Sequence, residues 1–151
     1  MDLPVIFFAD YAIFLLFAAF GVFLGKQKNL CLIKSAVASV SVSWLIGLFI
    51  KSFFYVPRPF LFSDKPPLVD FLYDGSFPSA HTLLAFSAAA TVWLWHKKTG
   101  WIFIMLAFLI AASRVLGGVH RPIDILGGVV ISAGVSWLFY RFVFVCRSVY
   151  H

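Results

Sequence analysis

Apolar residues run along this chain in five long blocks, residues 3–25, 30–50, 79–95, 100–116 and 123–145, and polar residues gather between them. A helix needs about 17–25 such residues to cross a bilayer. The pattern therefore predicts an all-α integral membrane bundle of about five transmembrane helices. The fourth block is short, and its end already carries Ser113 and Arg114. The single long connection, residues 51–77, is rich in Pro and Asp. Connections beyond about 12–15 residues are often lids or binding loops. Within it, Leu68-Val69-Asp70-Phe71-Leu72-Tyr73, with Phe60, Leu61 and Phe62 nearby, is apolar enough to rest at the headgroup boundary. That stretch reads equally as a guide for a lipid headgroup or as a cover over the helix ends. No internal repeat or domain linker interrupts the pattern, so residues 1–151 are expected to form one membrane-embedded domain without a separate soluble one.

Composition agrees with this. The chain is 62% hydrophobic and 12% charged, where a soluble domain carries about a quarter charged residues. The net charge of +6 would suit nucleic acid, but its placement argues against that partner. Lys26, Lys28, Lys34, Lys97, Lys98, Arg141 and Arg147 fall at one set of run ends, without an acid among them. Asp2, Asp10, Asp64, Asp70, Asp74 and Asp124 fall at the other, with Lys51, Arg58, Lys65, Arg114 and Arg121. Lys and Arg beside short loops favour the cytoplasm, which predicts an outer N-terminus, an inner C-terminus and anionic headgroups as the partner of the basic end. The first run lacks a positive leader and exceeds the usual signal-peptide core, so it is expected to stay as an anchor. Cys31 and Cys146 lack metal-ligand spacing and read as small core residues. Trp93, Trp95, Trp101 and Tyr140 mark the inner interface, while Gly117-Gly118 and Gly127-Gly128 allow tight turning or close helix approach.

The polar residues left over carry the chemistry. They form three segments: Lys51-x6-Arg58-Pro59, Pro78-Ser79-Ala80-His81 and Ser113-Arg114-x5-His120-x3-Asp124. Each lies at the outer end of an apolar run. Ionisable groups within or beside a membrane span cost about 2.5–3.5 kcal/mol each, so by default they mark function. Ser79 stands at a helix N-cap, whose first amides and dipole favour phosphate. His81 follows in the first turn, which capping alone leaves unexplained. Pro122 suits the first turn of the last helix. Asp124 can then orient the His120 imidazole and leave one nitrogen free as nucleophile or base, or serve simply as a first-turn acid on the helix dipole. Arg114 offers a planar fork for two phosphate oxygens. Lys51 and Arg58, nearly two helical turns apart, would share a face, although Pro57 and Pro59 disfavour regular helix there. Alone they would read as snorkelling cations; beside Arg114 they look like a phosphate cage.

These segments resemble the signature of the type-2 phosphatidic acid phosphatase superfamily, which is related to vanadium-dependent haloperoxidases. Ten of its eleven fixed positions match, across residues 51–124. The resemblance implies that His120 attacks phosphorus to form a phosphohistidine, that Asp124 orients it, and that His81 protonates the leaving group and then helps activate water. Lys51, Arg58, Arg114, the Ser79 hydroxyl and nearby amides, that of Ala80 included, would hold the phosphate. No metal or other cofactor is implied, in keeping with a chain that has no Glu and no carboxylate cluster fit for Mg²⁺. Ala80 replaces the usual glycine; if it contributes only a helical backbone amide, activity is expected to survive. Many members have six helices where this chain offers five, which bears on the wall of the lipid groove and on whether a homo-oligomer forms. The residues around His81 and His120 look most like bacterial undecaprenyl-diphosphatases, which act at the outer face of the cytoplasmic membrane. Phosphatidate or phosphatidylglycerophosphate phosphatase activity is the nearest rival. A small transporter or non-catalytic phosphate binder is the rival of another class, but transport would favour charges spread through the midplane. Haloperoxidase chemistry would require bound vanadate, which a membrane-embedded site disfavours.

Overall fold

A computed structural model describes residues 3–62, 66–69 and 74–149, with residues 143–149 as backbone alone. Asp2, Asp64, Lys65, Asp70, Phe71, Leu72 and Tyr73, and the side chains of Cys146 and Arg147, lie outside the described residues. Five long helices form an up-and-down bundle: α1 (Leu3–Gly25), α2 (Leu30–Phe53), α3 (Ala80–Trp95), α4 (Lys97–Leu116) and α5 (Pro122–Val149). A short 3₁₀ turn, Pro59–Phe62, lies in the long connection. No strand occurs among the described residues.

The helices fall where the apolar runs predict, with two refinements. Among the described residues α1, α2, α4 and α5 are each long and apolar enough to cross a membrane, and α3 is a shorter apolar helix of 16 residues that begins just after Ser79. Next, α4 starts at Lys97 rather than Gly100, leaving His96 as the sole connector from α3. Gly100 permits that turn, since a Cβ there would collide with the Trp93 backbone.

The short α3 is the centre of the bundle and packs against all four other helices. Its Ala85, Ala88 and Ala89 are fully buried, and small residues let membrane helices approach closely. Serines on α5 then bond to α3: Ser132 Oγ donates to the Leu83 carbonyl (2.9 Å) and Ser136 Oγ to that of Ser87 (3.2 Å). Bonds of this kind average about 0.6 kcal/mol in a bilayer, so they fix register more than they add stability. Near the start of α5, a Cβ on Gly127 would strike the Phe77 ring and one on Gly128 would strike Thr82. The glycine pair therefore lets α5 sit directly against the entry to α3. Leu15, Ile102 and Val130 are exposed, as lipid-facing residues would be.

Up-and-down connectivity puts residues 26–29 and His96 at one end of the bundle, and residues 54–62, 66–69, 74–79 and 117–121 at the other. The first end carries the acid-free basic set and the aromatic belt. Lys97 Nζ lies 3.1 Å from the Trp93 ring centroid, and the Trp93–Trp101 and Trp95–Tyr140 rings meet edge-on. The second end carries all three polar segments.

Candidate active site

At that second end a cavity of about 380 Å³ opens among α1, α2, α3 and the loops. Lys51, Arg58, Ala80, His81, Arg114 and His120 line it, so six of the eight expected site residues share one space. Asp124 lies behind them, fully buried, and backs His120. Ser79 departs from expectation. It holds the N-cap position of α3, but its side chain is completely buried and does not line the cavity. Its hydroxyl makes no capping bond and has no partner among the described residues. The Ser79 amide instead donates to the Asp124 carbonyl (3.2 Å), tying the start of α3 to the start of α5.

His120 reaches the cavity through a tight turn. Gly118 adopts φ +77°, a left-handed conformation that glycine alone enters without strain. The chain then doubles back, and the amides of Val119 and His120 both donate to the Arg114 carbonyl (3.3 Å each). The tautomer follows from the neighbours. Arg58 Nη1 lies 3.4 Å from His120 Nε2, and a guanidinium has only donors. Nε2 must therefore present its lone pair, and Nδ1 carries the proton toward Asp124 Oδ2, also 3.4 Å away. Contacts of this type often tighten only with substrate in place. Asp124 Oδ2 is itself held by Ser76 Oγ (2.9 Å) and the Arg121 amide (2.8 Å).

Burial drives the His120 pKa down, and the charges of Arg58 and Arg114 add to this against the opposing pull of Asp124. The imidazole therefore stays neutral below its ordinary value of 6.5. If it is the attacking base, the acidic limb of kcat/KM lies below pH 6.5, as a pH–rate profile would read. The linkage has the same origin. The unfolded chain takes up this proton first, so stability falls as pH drops below about 6.5.

Lys51 and Arg58 do not snorkel. Arg58 is only 5% exposed, and both cations turn inward from opposite ends of a stretch that leaves the helix after Phe53. Both meet Asp74, a residue the spacing did not single out: Lys51 Nζ to Oδ2 and Arg58 Nη2 to Oδ1, each 2.5 Å. Burial alone would raise the Asp74 pKa, but hydrogen bonds from Lys51 and Arg58 outweigh it and hold the carboxyl below the usual carboxylate range. Arg114 has a similar partner in Asp10, whose Oδ1 accepts from Nη1 at 2.9 Å; the Ala9 carbonyl accepts at 3.3 Å. Ala9 and Asp10 lie in a π turn, Phe7–Tyr11, within α1. Such turns widen the helix and are frequent at functional sites. Nearby, Val69 packs against Ala9 and Val119, so this part of the long connection acts as a cover over the helix ends.

Ala80 begins α3 in helical conformation, with no non-glycine residue at positive φ among the described residues. It lines the cavity. Ala80→Gly is accordingly expected to change phosphate release by less than about threefold, measured on purified protein; recovery from an inactive parent would show that the methyl blocks the site.

Fold and cavity together define a helical membrane protein with a cationic, histidine-bearing cavity at one end of its bundle. The chain belongs to the PAP2 superfamily, which it matches over residues 30–148. It is 34% identical over 132 residues to the bacitracin transport permease protein BcrC of Bacillus licheniformis, covering 85% of this chain and 65% of that one. It is 28% identical over 145 residues to the undecaprenyl-diphosphatase BcrC of Bacillus subtilis, covering 94% and 75%. The chain thus spans about two thirds to three quarters of the length of these curated relatives. Among solved structures it resembles LpxE of Aquifex aeolicus, with a TM-score of 0.78 and 27% identity, covering 93% of this chain and 87% of that one. Asp10 lies outside the segment that matches the superfamily.

Proposed function

We propose that the protein hydrolyses the terminal phosphate of a lipid diphosphate, undecaprenyl diphosphate foremost, through a phosphohistidine and without a metal. The observation that carries this reading is the set of His120 Nε2, His81 and three cations around one cavity. His120 Nε2 attacks phosphorus, and the phosphorus–oxygen bond to the lipid-bearing leaving group breaks. His81 gives that oxygen its proton. Water then attacks the phosphohistidine, losing a proton to His81, and His120 is restored as inorganic phosphate forms. Lys51, Arg58, Arg114 and the first amides of α3 balance the charge on the transferring group. Asp124 accepts from Nδ1 and stabilises the positive charge that grows on the ring.

The undecaprenyl reading draws on the similarity to the undecaprenyl-diphosphatase BcrC of Bacillus subtilis. The Bacillus licheniformis relative is named a transport permease, but here the ionisable groups gather at one end of the bundle, which suits chemistry at a surface better than passage through it. The charge asymmetry supports a cavity on the outer face of a bacterial cytoplasmic membrane. The test compares phosphate release from undecaprenyl diphosphate, phosphatidate and phosphatidylglycerophosphate by purified protein in detergent, with chelator present. Fastest release from the first lipid, indifferent to chelator, is the expected result. Loss of activity on chelation would overturn the mechanism, and equal rates on all three lipids would overturn the substrate.

A further inference from the structure

Asp74 engages the Lys51–Arg58 pair in the way a phosphate would. Its two carboxylate oxygens bridge the two cations, as two phosphate oxygens would bridge them. The carboxylate also lines the cavity that holds His81 and His120, with 35% of its side chain exposed there. The cations are far more enclosed, and most of their other donors are engaged or shut away from the cavity: Arg58 Nε is buried without a partner among the described residues. Lys51 also donates to the Gly75 carbonyl (2.8 Å), while Arg58 Nη1 donates to that of Val119 (3.1 Å). What the pair offers to the cavity is what Asp74 already accepts. A phosphate and a carboxylate on the same two cations would also repel each other strongly in a poorly hydrated space.

Resting on the reading that this cavity takes a phosphate, we propose that Asp74 is a tethered competitor of that group: carboxylate and phosphate alternate on Lys51 and Arg58, and the return of Asp74 drives inorganic phosphate out after hydrolysis. The backbone is suited to this exchange. Gly75 is held through its carbonyl by Lys51, and Ser76 through its amide by the Val56 carbonyl (2.8 Å) and through its hydroxyl by Asp124. Rotation of the Asp74 side chain alone frees the pair, with the chain beside it still anchored. The competition discriminates between ligands. A lipid phosphate brings the affinity of its tail, whereas inorganic phosphate has only its oxygens to set against a tethered carboxylate. If Asp74 holds the pair in nine molecules of ten, affinity for phosphate is lowered about tenfold.

The test uses the full chain in detergent and inorganic phosphate as the probe, with lipid product measured so that added phosphate does not mask turnover. Asp74→Asn keeps the side-chain shape and removes its charge. The inhibition constant for phosphate should fall about tenfold or more, with a lower KM for the lipid. Should the Asn variant fail to fold, Asp74→Ser carries the same expectation. An inhibition constant that is unchanged or raised in the folded variant would overturn the proposal and make Asp74 a residue that positions the cations. If phosphate inhibits neither protein, the phosphate-site reading fails, and this proposal with it.

Discussion

His120→Ala is expected to lower phosphate release more than about a thousandfold and to abolish any phosphoenzyme. Removing a nucleophile leaves only the contribution of binding and charge stabilisation, a pattern established for covalent enzymes. Here Nε2 is the ring nitrogen that presents a lone pair, because Arg58 Nη1 beside it can only donate. Alanine removes that lone pair while leaving Lys51, Arg58 and Arg114 to bind the headgroup, so KM should move far less than kcat. Phosphohistidine is labile to acid and stable to alkali. An alkaline quench of wild-type protein with radiolabelled lipid diphosphate should therefore trap label that the variant does not take up. Residual turnover within tenfold of wild type would place the nucleophile elsewhere, with His81 the next candidate.

The second large effect belongs to Asp124→Asn. Oδ2 of Asp124 faces the His120 Nδ1 proton and also accepts from Ser76 Oγ and the Arg121 amide. An amide keeps the shape but has only one accepting oxygen, and its nitrogen cannot receive the Nδ1 proton. The Ser76 hydroxyl and the Arg121 amide hold the amide oxygen at the Oδ2 position, so Nδ1 keeps an acceptor, but a neutral one that no longer stabilises the positive charge formed on the ring as Nε2 attacks. The equivalent change in a serine protease triad costs about 10⁴ in kcat with geometry intact. A loss of about 10² to 10⁴ is expected here, with KM near wild type. Steady-state kinetics check the split, and ring nitrogen NMR reports the tautomer. A variant with unchanged kcat would leave Asp124 only the role of a first-turn acid on the helix dipole.

The residues that line the cavity were legible because their spacing is local. Lys51 and Arg58 lie seven positions apart and His120 and Asp124 four, so each pair can be read within one segment. Counting apolar residues was enough to place the helices, but not to see that α4 begins at Lys97, three residues before its apolar run. The carboxylates Asp74 and Asp10 were harder, since they pair with partners 23 and 104 positions away. No periodicity links such residues, and only folding brings them together. Asp10 did carry a signal. An ionisable residue inside the apolar run 3–25 is a functional candidate by default, and that signal was available before any fold. Asp74 had none, because an Asp in a Pro-rich connection looks like any turn residue. Ser79 misled in the opposite sense. Its position at a helix start predicts a cap, and the structure gives it the position without the bond.

The 16 residues of α3 also have a bearing on the membrane itself. A helix of that length rises about 24 Å, against a hydrocarbon layer about 30 Å thick. With Trp93 and Trp95 anchored at one interface, a helix of that rise would leave its far end about 6 Å beneath the other. A charged headgroup must then sink below its own plane, or the bilayer must thin locally to meet it. Both costs depend on membrane thickness, so turnover becomes a function of the lipid in which the protein is dissolved. A substrate whose phosphate is joined directly to its hydrocarbon chain has the least polar surface to drag down.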